Sequence, residues 1–455
     1  MSLIRQELTS SRTAMTHVVA NPALRRIFAA FAGSLIGDGV FALSAAVFVY
    51  RSGGATAVGV LAVCRYVLIA VVAPLGAALA DRYDRRLVMT ASDVLRLVVV
   101  VIAAALITVH GPRVAVYALI ILVGLAGTAF RPAQAAILPS LSREEEELSG
   151  ANVLSSTIES IGFFAGPAVA GLLLAFSSIA VAFAFDAVTF VWSALLLWGI
   201  RVPDDDERTP AYRAQLSRHA FETDTAAETF LHRALQGFRE IARHRDIRTL
   251  AILYVLQCVV AGASAVFTVA IALRMLHIGN SGLGLMESTL GIGGLVGGFL
   301  ALMLMQRSRL ATHFAIGIMM WGAPLVIIAI FPNEFAALLT MGLIGVANSI
   351  VDVNAITVLQ HQVPNEVLGR VMGAIEAGDV GGMAIGSLAM TLLIHVTGLR
   401  EGLAWIGVVV TVLVVPGLPA MRRIDGLARG QGLRHHPRYD LRPVFHQRLR
   451  RRYSH

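Results

Sequence analysis

Residues 27 to 49 read Ile27-Phe-Ala-Ala-Phe-Ala-Gly-Ser-Leu-Ile-Gly-Asp38-Gly-Val-Phe-Ala-Leu-Ser-Ala-Ala-Val-Phe-Val49, an apolar run of about 23 residues that holds one charge. About 20 such residues cross a bilayer as a helix, and the run is too long for the apolar region of a cleavable signal, so it is expected to stay as a first membrane span. Equivalent runs follow near 57–80, 87–109, 114–137, 152–176 and 179–200. After a polar stretch, six more lie near 249–275, 282–305, 312–331, 335–359, 370–395 and 402–420. The chain therefore reads as an all-α membrane protein of 12 transmembrane helices in two six-helix halves.

Composition agrees. Of 455 residues, 56% are hydrophobic and 15% charged, with mean hydropathy +0.72, which excludes a water-soluble enzyme. The 42 glycines suit close helix contacts in lipid. A net charge of +8 would suit a nucleic-acid binder, but all 37 basic residues are Arg and they lie mostly between the apolar runs. Membrane orientation accounts for that distribution better. With the N-terminus inside, 31 Arg fall on cytoplasmic segments and adjoining helix ends, and four (Arg51, Arg113, Arg274, Arg400) in outer loops. Both termini are thus expected in the cytoplasm, and no nucleic-acid partner is expected. Cys64 and Cys258 form neither a disulfide framework nor a zinc pattern and read as packing residues. His435, His436 and His455 lack metal-ligand spacing, so no metal site is expected. Absence of a Walker sequence argues against an ATP-driven pump.

Four segments result: 1–200, an N-terminal six-helix half; 201–247, a linker beginning near Asp204-Asp205-Asp206-Glu207 with an amphipathic surface helix near Phe230 to Ile241; 248–421, a C-terminal six-helix half; and 422–455, a basic tail. The tail has too little apolar content for a core and is expected to be disordered or bound to anionic lipid headgroups. An offset of 220 carries Glu159 onto Asp379, Gly162 onto Gly382 and Gly166 onto Gly386, on the fifth spans of the two halves. Repeated halves place a site at their interface near the bilayer midplane.

The loop after the second span reads Gly76-Ala-Ala-Leu-Ala-Asp81-Arg82-Tyr-Asp84-Arg85-Arg86. A small residue lets helices approach, and an acid beside clustered Arg makes a charge-assisted latch. Here the chain resembles the major facilitator superfamily, whose signature occupies this cytoplasmic loop. The resemblance implies that Gly76, Asp81, Arg82, Arg85 and Arg86 stabilise the outward-facing state and release it on inward opening. The plainer alternative is that these Arg only hold the loop inside. Asp93 and Arg96, three residues apart on one helical face, either join the latch or neutralise each other.

The fifth span carries Gly162-x-x-x-Gly166-Pro167-x-x-x-Gly171, similar to the antiporter motif of exporters in the superfamily. It departs from that motif at Val153 and Ala170, where the family has Gly. Glycine and proline there allow a kink and tight contact, so the helix rocks as the cavity changes sides. Gly37-Asp38-Gly39, Arg131-Pro132-Ala133, Leu138-Pro139, Gly150-Ala151-Asn152, Val363-Pro364 and Gly369-Arg370-Val371 also resemble the branch with multidrug and macrolide efflux proteins and enterobactin exporters. One feature of many proton antiporters, an Arg in the middle of the fourth span, is missing from Val114 to Phe130.

Charged groups inside a membrane are costly and therefore candidates for function. Asp38 is the first choice for a proton-exchanging residue, or else a cap on backbone or on an Arg. Glu159 and Asp379 come next, either as proton helpers or as a polar pair between the halves. Asp186 is favoured as a structural acid. Arg65 and Glu287 form an outer gate, or Arg65 snorkels to the lipid interface. Arg131, Gln134, Gln257, Asn348, Asp352 and Asn354 are the cavity candidates, while Met286, Met303, Met305, Met319 and Met320 read as core or lipid-facing. The resemblance implies a monomeric exporter of small amphipathic compounds, working by alternating access and antiport of protons, with the lipid bilayer as its surroundings and no cofactor beyond the proton gradient. The alternatives are a dedicated exporter of one metabolite such as a siderophore, an importer, and a non-transporting scaffold or sensor.

Overall fold

The computed structural model describes residues 18, 20–142, 145–200, 236–305, 309–363 and 365–431. Most of the linker and the tail after 431, with the expected residues 230–235, His435, His436 and His455, lie outside the described residues. Eleven helical segments are long and apolar enough to cross a membrane, and the first is folded double, so the chain makes twelve crossings.

That doubling occurs at Gly54. The helical stretch Pro22–Arg82 is interrupted there by φ 67° and ψ −166°, a backbone that glycine adopts without steric cost. Its arms are α1 (22–53) and α2 (55–82). Next come α3 (Arg85–Thr108), α4 (Arg113–Leu141), α5 (Glu145–Phe176) and α6 (Ile179–Trp198). The second half holds α7 (Arg245–Met275), α8 (Gly279–Met305), α9 (Leu310–Ile330), α10 (Glu334–Gln362), α11 (Asn365–Val396) and α12, which begins at Leu399. Successive helices run in opposite directions. The end of the bundle that carries Asn21 and Ile200 is called the base here, and the end that carries Gly54 the crown.

Local chemistry sets the starts of these helices. Asn21 caps α1 by accepting from Ala23 N and Leu24 N, with Pro22 in the first turn. The same side chain donates to Leu141 O at 3.0 Å and to Glu147 at 2.9 Å, fastening α1 to the foot of α4 and α5. Asp84, Ser178 and Asn333 cap α3, α6 and α10. Outward faces are apolar and exposed, as in Val71, Leu75, Leu195 and Phe299, which matches a protein dissolved in hydrocarbon. Met286 is buried, Met319 and Met320 are partly buried, and Met303 faces outward. Cys258 is buried as expected, but Cys64 is exposed.

Helices meet through glycine. Gly166 of α5 lies so close to Gly39 of α1 that a Cβ on it would stand 2.8 Å from the Gly39 Cα. Five residues on, Gly171 abuts Gly284 of α8, where an added Cβ would meet the Gly284 Cα at 2.7 Å. One helix thus touches its own half on one face and the other half on another. The hydrogen bonds described between the halves lie at the crown: Arg51 donates to Asn280 at 3.0 Å, and Asn280 donates to Leu174 O at 3.4 Å.

The described part of the expected linker helix is present, and the tail boundary differs from the sequence expectation. Residues 236–243 form a helix that sets Gly237 against the Arg370 carbonyl and buries Ile241 with Ile247, Val371 and Ala374, so the described part of the linker is docked on the C-terminal half. The tail boundary at 422 moves, because the last helix continues through a 3-10 turn at Val415–Gly417 into Leu418–Gln431. Met421, Ile424 and Asp425 are buried there. Asp425 accepts from Ala311 N at 2.9 Å, Thr312 N at 3.0 Å and the Thr312 hydroxyl, capping α9 from outside with a charge that suits its helix dipole. Asp425→Ala leaves buried donors of α9 unpaired and is expected to cost about 1–3 kcal/mol, read as a lower midpoint of thermal unfolding in detergent, with Asp425→Asn intermediate. An unchanged midpoint would show that the cap contributes nothing.

Candidate functional site

In the N-terminal half one guanidinium gathers three helices. Arg96 of α3 is 4% exposed, and its Nη1 reaches both carboxylate oxygens of Asp38 on α1 at 3.1 and 3.2 Å. Its Nη2 donates to Asp93 at 2.6 Å and to the Ser34 hydroxyl at 3.5 Å. Ser193 of α6 donates to the second Asp93 oxygen at 2.5 Å. The cation also lies 4.3 Å from the ring centre of Phe190 and 5.2 Å from that of Phe130. Arg96 sits roughly 16 Å along α3 from Arg85, at 1.5 Å per residue, so the pair Asp93 and Arg96 belongs to this mid-membrane cluster and not to the loop latch. Both roles open to Asp38 remain chemically available, since it holds an Arg and is still 40% exposed.

That exposure opens onto a cavity of about 560 Å³ between the halves. Asp38 and Arg65 line it from α1 and α2, Arg131 from α4, Glu159 and Phe163 from α5, and Val269 and Glu287 from α7 and α8. Most of its remaining lining is aliphatic, which suits an amphipathic guest. A smaller space of about 310 Å³ shares Asp38, Arg65 and Arg131 and reaches back to Arg96, Ser34 and Thr128.

Arg131, expected within the fourth span and in the cavity, lies in both places. That helix continues past Phe130, through a 3-10 turn at Gly127–Ala129, to Leu141, so Arg131 lies inside it and faces the cavity. It pairs with Glu159 at 3.0 Å and lies 5.4 Å from the Phe31 ring centre. Gly76 of α2 packs closely on the 3-10 turn, where an added Cβ would meet the Thr128 carbonyl carbon at 2.9 Å. Arg65 and Glu287 both face the cavity, and no bond between them is described.

At the base, Arg86 donates to Ile200 O at 2.6 Å and so caps the end of α6, while Arg82 is exposed and Arg85 partly buried. The Asp81 side chain lies outside the described residues. Gly162 meets Leu35 of α1, and with Gly166, Pro167 and Gly171 it forms the close-packed stripe of α5.

Gln134 and Asn354, expected in the cavity, are instead buried at 3% and 0% exposure. Each lies on a helix face that turns into the packed interior, and Asn354 donates to Ile350 O of its own helix. The C-terminal half has a polar ladder in which Gln257 donates to Asn348 at 3.3 Å and Asn348 to Asp352 at 3.0 Å. Asp379 stands beside the Cys258 thiol and within electrostatic reach of Asp352. Tyr254 also faces these acids, a neighbour that sequence reasoning missed because a tyrosine in an apolar run carries no distinguishing signal. Among the described residues, no group of three or more His, Cys, Asp or Glu side chains could hold a metal ion.

The sequence profile of the Major Facilitator Superfamily matches residues 27–375 and 253–452. The multidrug efflux pump Tap of Mycolicibacterium fortuitum is 27% identical over 431 residues, 90% of this chain and 99% of its own length. The putative bacilysin exporter BacE of Bacillus subtilis (strain 168) is 24% identical over 319 residues, 69% of this chain and 74% of its own. Among solved structures, a variant of the nucleoside transporter NupG superposes with TM-score 0.69 at 14% identity, covering 88% of this chain and 100% of its own. A POT family transporter in complex with 5-aminolevulinic acid gives TM-score 0.68 at 14% identity, over 88% and 96% of the two chains. Identities this low speak for the fold alone.

Removing one partner of a buried ion pair costs roughly 3–5 kcal/mol, because the other charge is left bare. Arg96→Gln is therefore expected to abolish a monodisperse peak in size-exclusion chromatography, and Arg96→Gln with Asp93→Asn to restore part of it. Wild-type yield from the single variant would show that the cluster does not hold the helices together.

Proposed function

The chain belongs to the Major Facilitator Superfamily, and on that premise we propose that this transporter exports small amphipathic compounds in exchange for protons. It is a multi-pass membrane transporter and not an enzyme. The observation that carries the proposal is the aliphatic cavity between the halves with the Asp38–Arg96 and Arg131–Glu159 pairs in its wall. Export is the direction that the relatives support, one named an efflux pump and one a putative exporter. The concentration of Arg at the base supports the reading that this end and both termini face the cytoplasm. With the halves bonded at the crown, the cavity receives its substrate from the cytoplasmic side.

Access then alternates by exchanging crown contacts for base contacts. Opening the crown separates Arg51 from Asn280 and Gly171 from Gly284, about the stripe of small residues on α5. A proton arriving from outside neutralises Asp38 and frees Arg96, which changes the charge of the cavity wall as the substrate leaves. Glu159 and Asp379 assist as secondary proton sites. The loop from Gly76 to Arg86 governs opening at the base. The protein works as a monomer in a bacterial-type cytoplasmic membrane, needing no cofactor. A second reading, export of one dedicated metabolite, is favoured by the likeness to an exporter named for a single compound.

Inverted membrane vesicles test the proposal through energised uptake of a panel of fluorescent amphipathic cations. Uptake is expected in the wild type, to be lost in Asp38→Asn, and to reverse when the pH gradient is collapsed. Uptake indifferent to both would refute proton antiport, and uptake of no panel member by inserted protein would favour the dedicated substrate. Asp81→Asn is expected to slow uptake without loss of folded protein, and unchanged uptake would remove the loop from the mechanism.

A further inference from the structure

Behind the Asp38–Arg96 pair stands a carboxyl group that this mechanism has not used. Asp186 of α6 is fully buried, and its Oδ2 has no hydrogen-bond partner among the described residues. Its Oδ1 meets only the Thr189 hydroxyl at 3.3 Å, and that hydroxyl donates more closely to the Asp186 main-chain carbonyl at 2.8 Å. The hydrogen bonds described for Arg96 go to Asp38, Asp93 and Ser34.

The charges around it do not balance. Asp38 on α1 and Asp93 and Arg96 on α3 are the charged groups in electrostatic reach of Asp186, so three carboxyls share one guanidinium. Asp38 is exposed to the cavity and shares the Arg96 Nη1 between its two oxygens, and Asp93 has Arg96 and Ser193. Asp186 is closed off from the cavity and takes none of the hydrogen bonds described for Arg96. A bare carboxylate in such a place is costly enough that the group takes up a proton instead. Placement supplies the second observation. Asp186 abuts α1 at Gly37, where even a Cβ would stand 2.5 Å from its Oδ1, and Gly37 immediately precedes Asp38.

We propose that Asp186 holds a proton in this conformation and yields it to Asp38 as Arg96 changes partner. In that step the O–H bond on Asp186 breaks and one forms on Asp38. Arg96, released by the neutral Asp38, moves to the newly ionised Asp186, so the step conserves charge; the proton is one that Asp38 took up from outside, and Asp38 then releases it into the cavity. The resident proton rests on geometry alone. Its delivery to Asp38 rests on the antiport reading.

Infrared spectroscopy of the full-length protein in lipid nanodiscs at neutral pH reads the C=O stretch of protonated carboxyls. Asp186→Asn is expected to fold, since a neutral isostere replaces a neutral group, and to lose a component of that band, while Asp93→Asn keeps the component. An unchanged band in Asp186→Asn overturns the proposal, and so does failure of this variant to fold where Asp186→Glu folds. In inverted vesicles, Asp186→Asn is expected to slow gradient-driven uptake of a fluorescent cation at least about tenfold, and wild-type uptake overturns the transfer step. Wild-type uptake that ignores the gradient would instead sink antiport while leaving the infrared result untouched.

Discussion

The Arg96 guanidinium is the point on which the N-terminal half depends. It binds Asp38 of α1 and Asp93 of its own helix, Asp93 is tied in turn to Ser193 of α6, and Phe130 and Phe190 flank the cation from α4 and α6. In hydrocarbon there is little hydrophobic drive between helices, so packing and polar contacts decide how they sit. A single charged group with partners on several helices fixes their mutual rotation in a way that aliphatic faces do not. Because Asp38 also reaches the cavity, the group that holds the helices together is one that cavity contents can disturb.

The two halves are alike in path and unlike in charge. The 220-residue offset that maps Glu159 onto Asp379 maps Arg131 onto Val351. Glu159 consequently has a guanidinium at 3.0 Å, whereas Asp379 has a thiol and a second acid nearby. The N-terminal half carries its own cations into the membrane, and the acids of the C-terminal half lack this compensation. A repeat that preserves backbone spacing while losing the partner is what divergence of function between duplicated halves looks like in physical terms.

Spans were readable because an unbroken run of about twenty apolar residues suits the hydrocarbon of a bilayer and little else. The ends of the helices were less readable. The first turn of α5 and Asp425 lie in polar sequence that hydropathy assigns to loops, yet both are helical, with Glu147 bonded to Asn21 and Asp425 to the start of α9. Pairings were the hardest part. Asp38 and Arg96 are 58 residues apart, and no periodicity within either helix points to the other. Asn354 shows the converse difficulty, since a polar residue in a span can donate to its own backbone and need no cavity. Asp93 next to Arg96 was visible as a spacing of three, but the spacing was silent on depth and on which neighbours the pair would recruit.

Gly54 has a mechanical side. Because α1 passes into α2 through one glycine with no intervening loop, the helix that bears Asp38 is joined directly to the helix whose Gly76 packs on α4, with little chain between them to take up a movement. A tilt begun at mid-membrane in one arm reaches the other with little slack. Lengthening that junction by a few residues would leave both arms intact and uncouple them, as a slipped clutch separates a turning engine from its wheels.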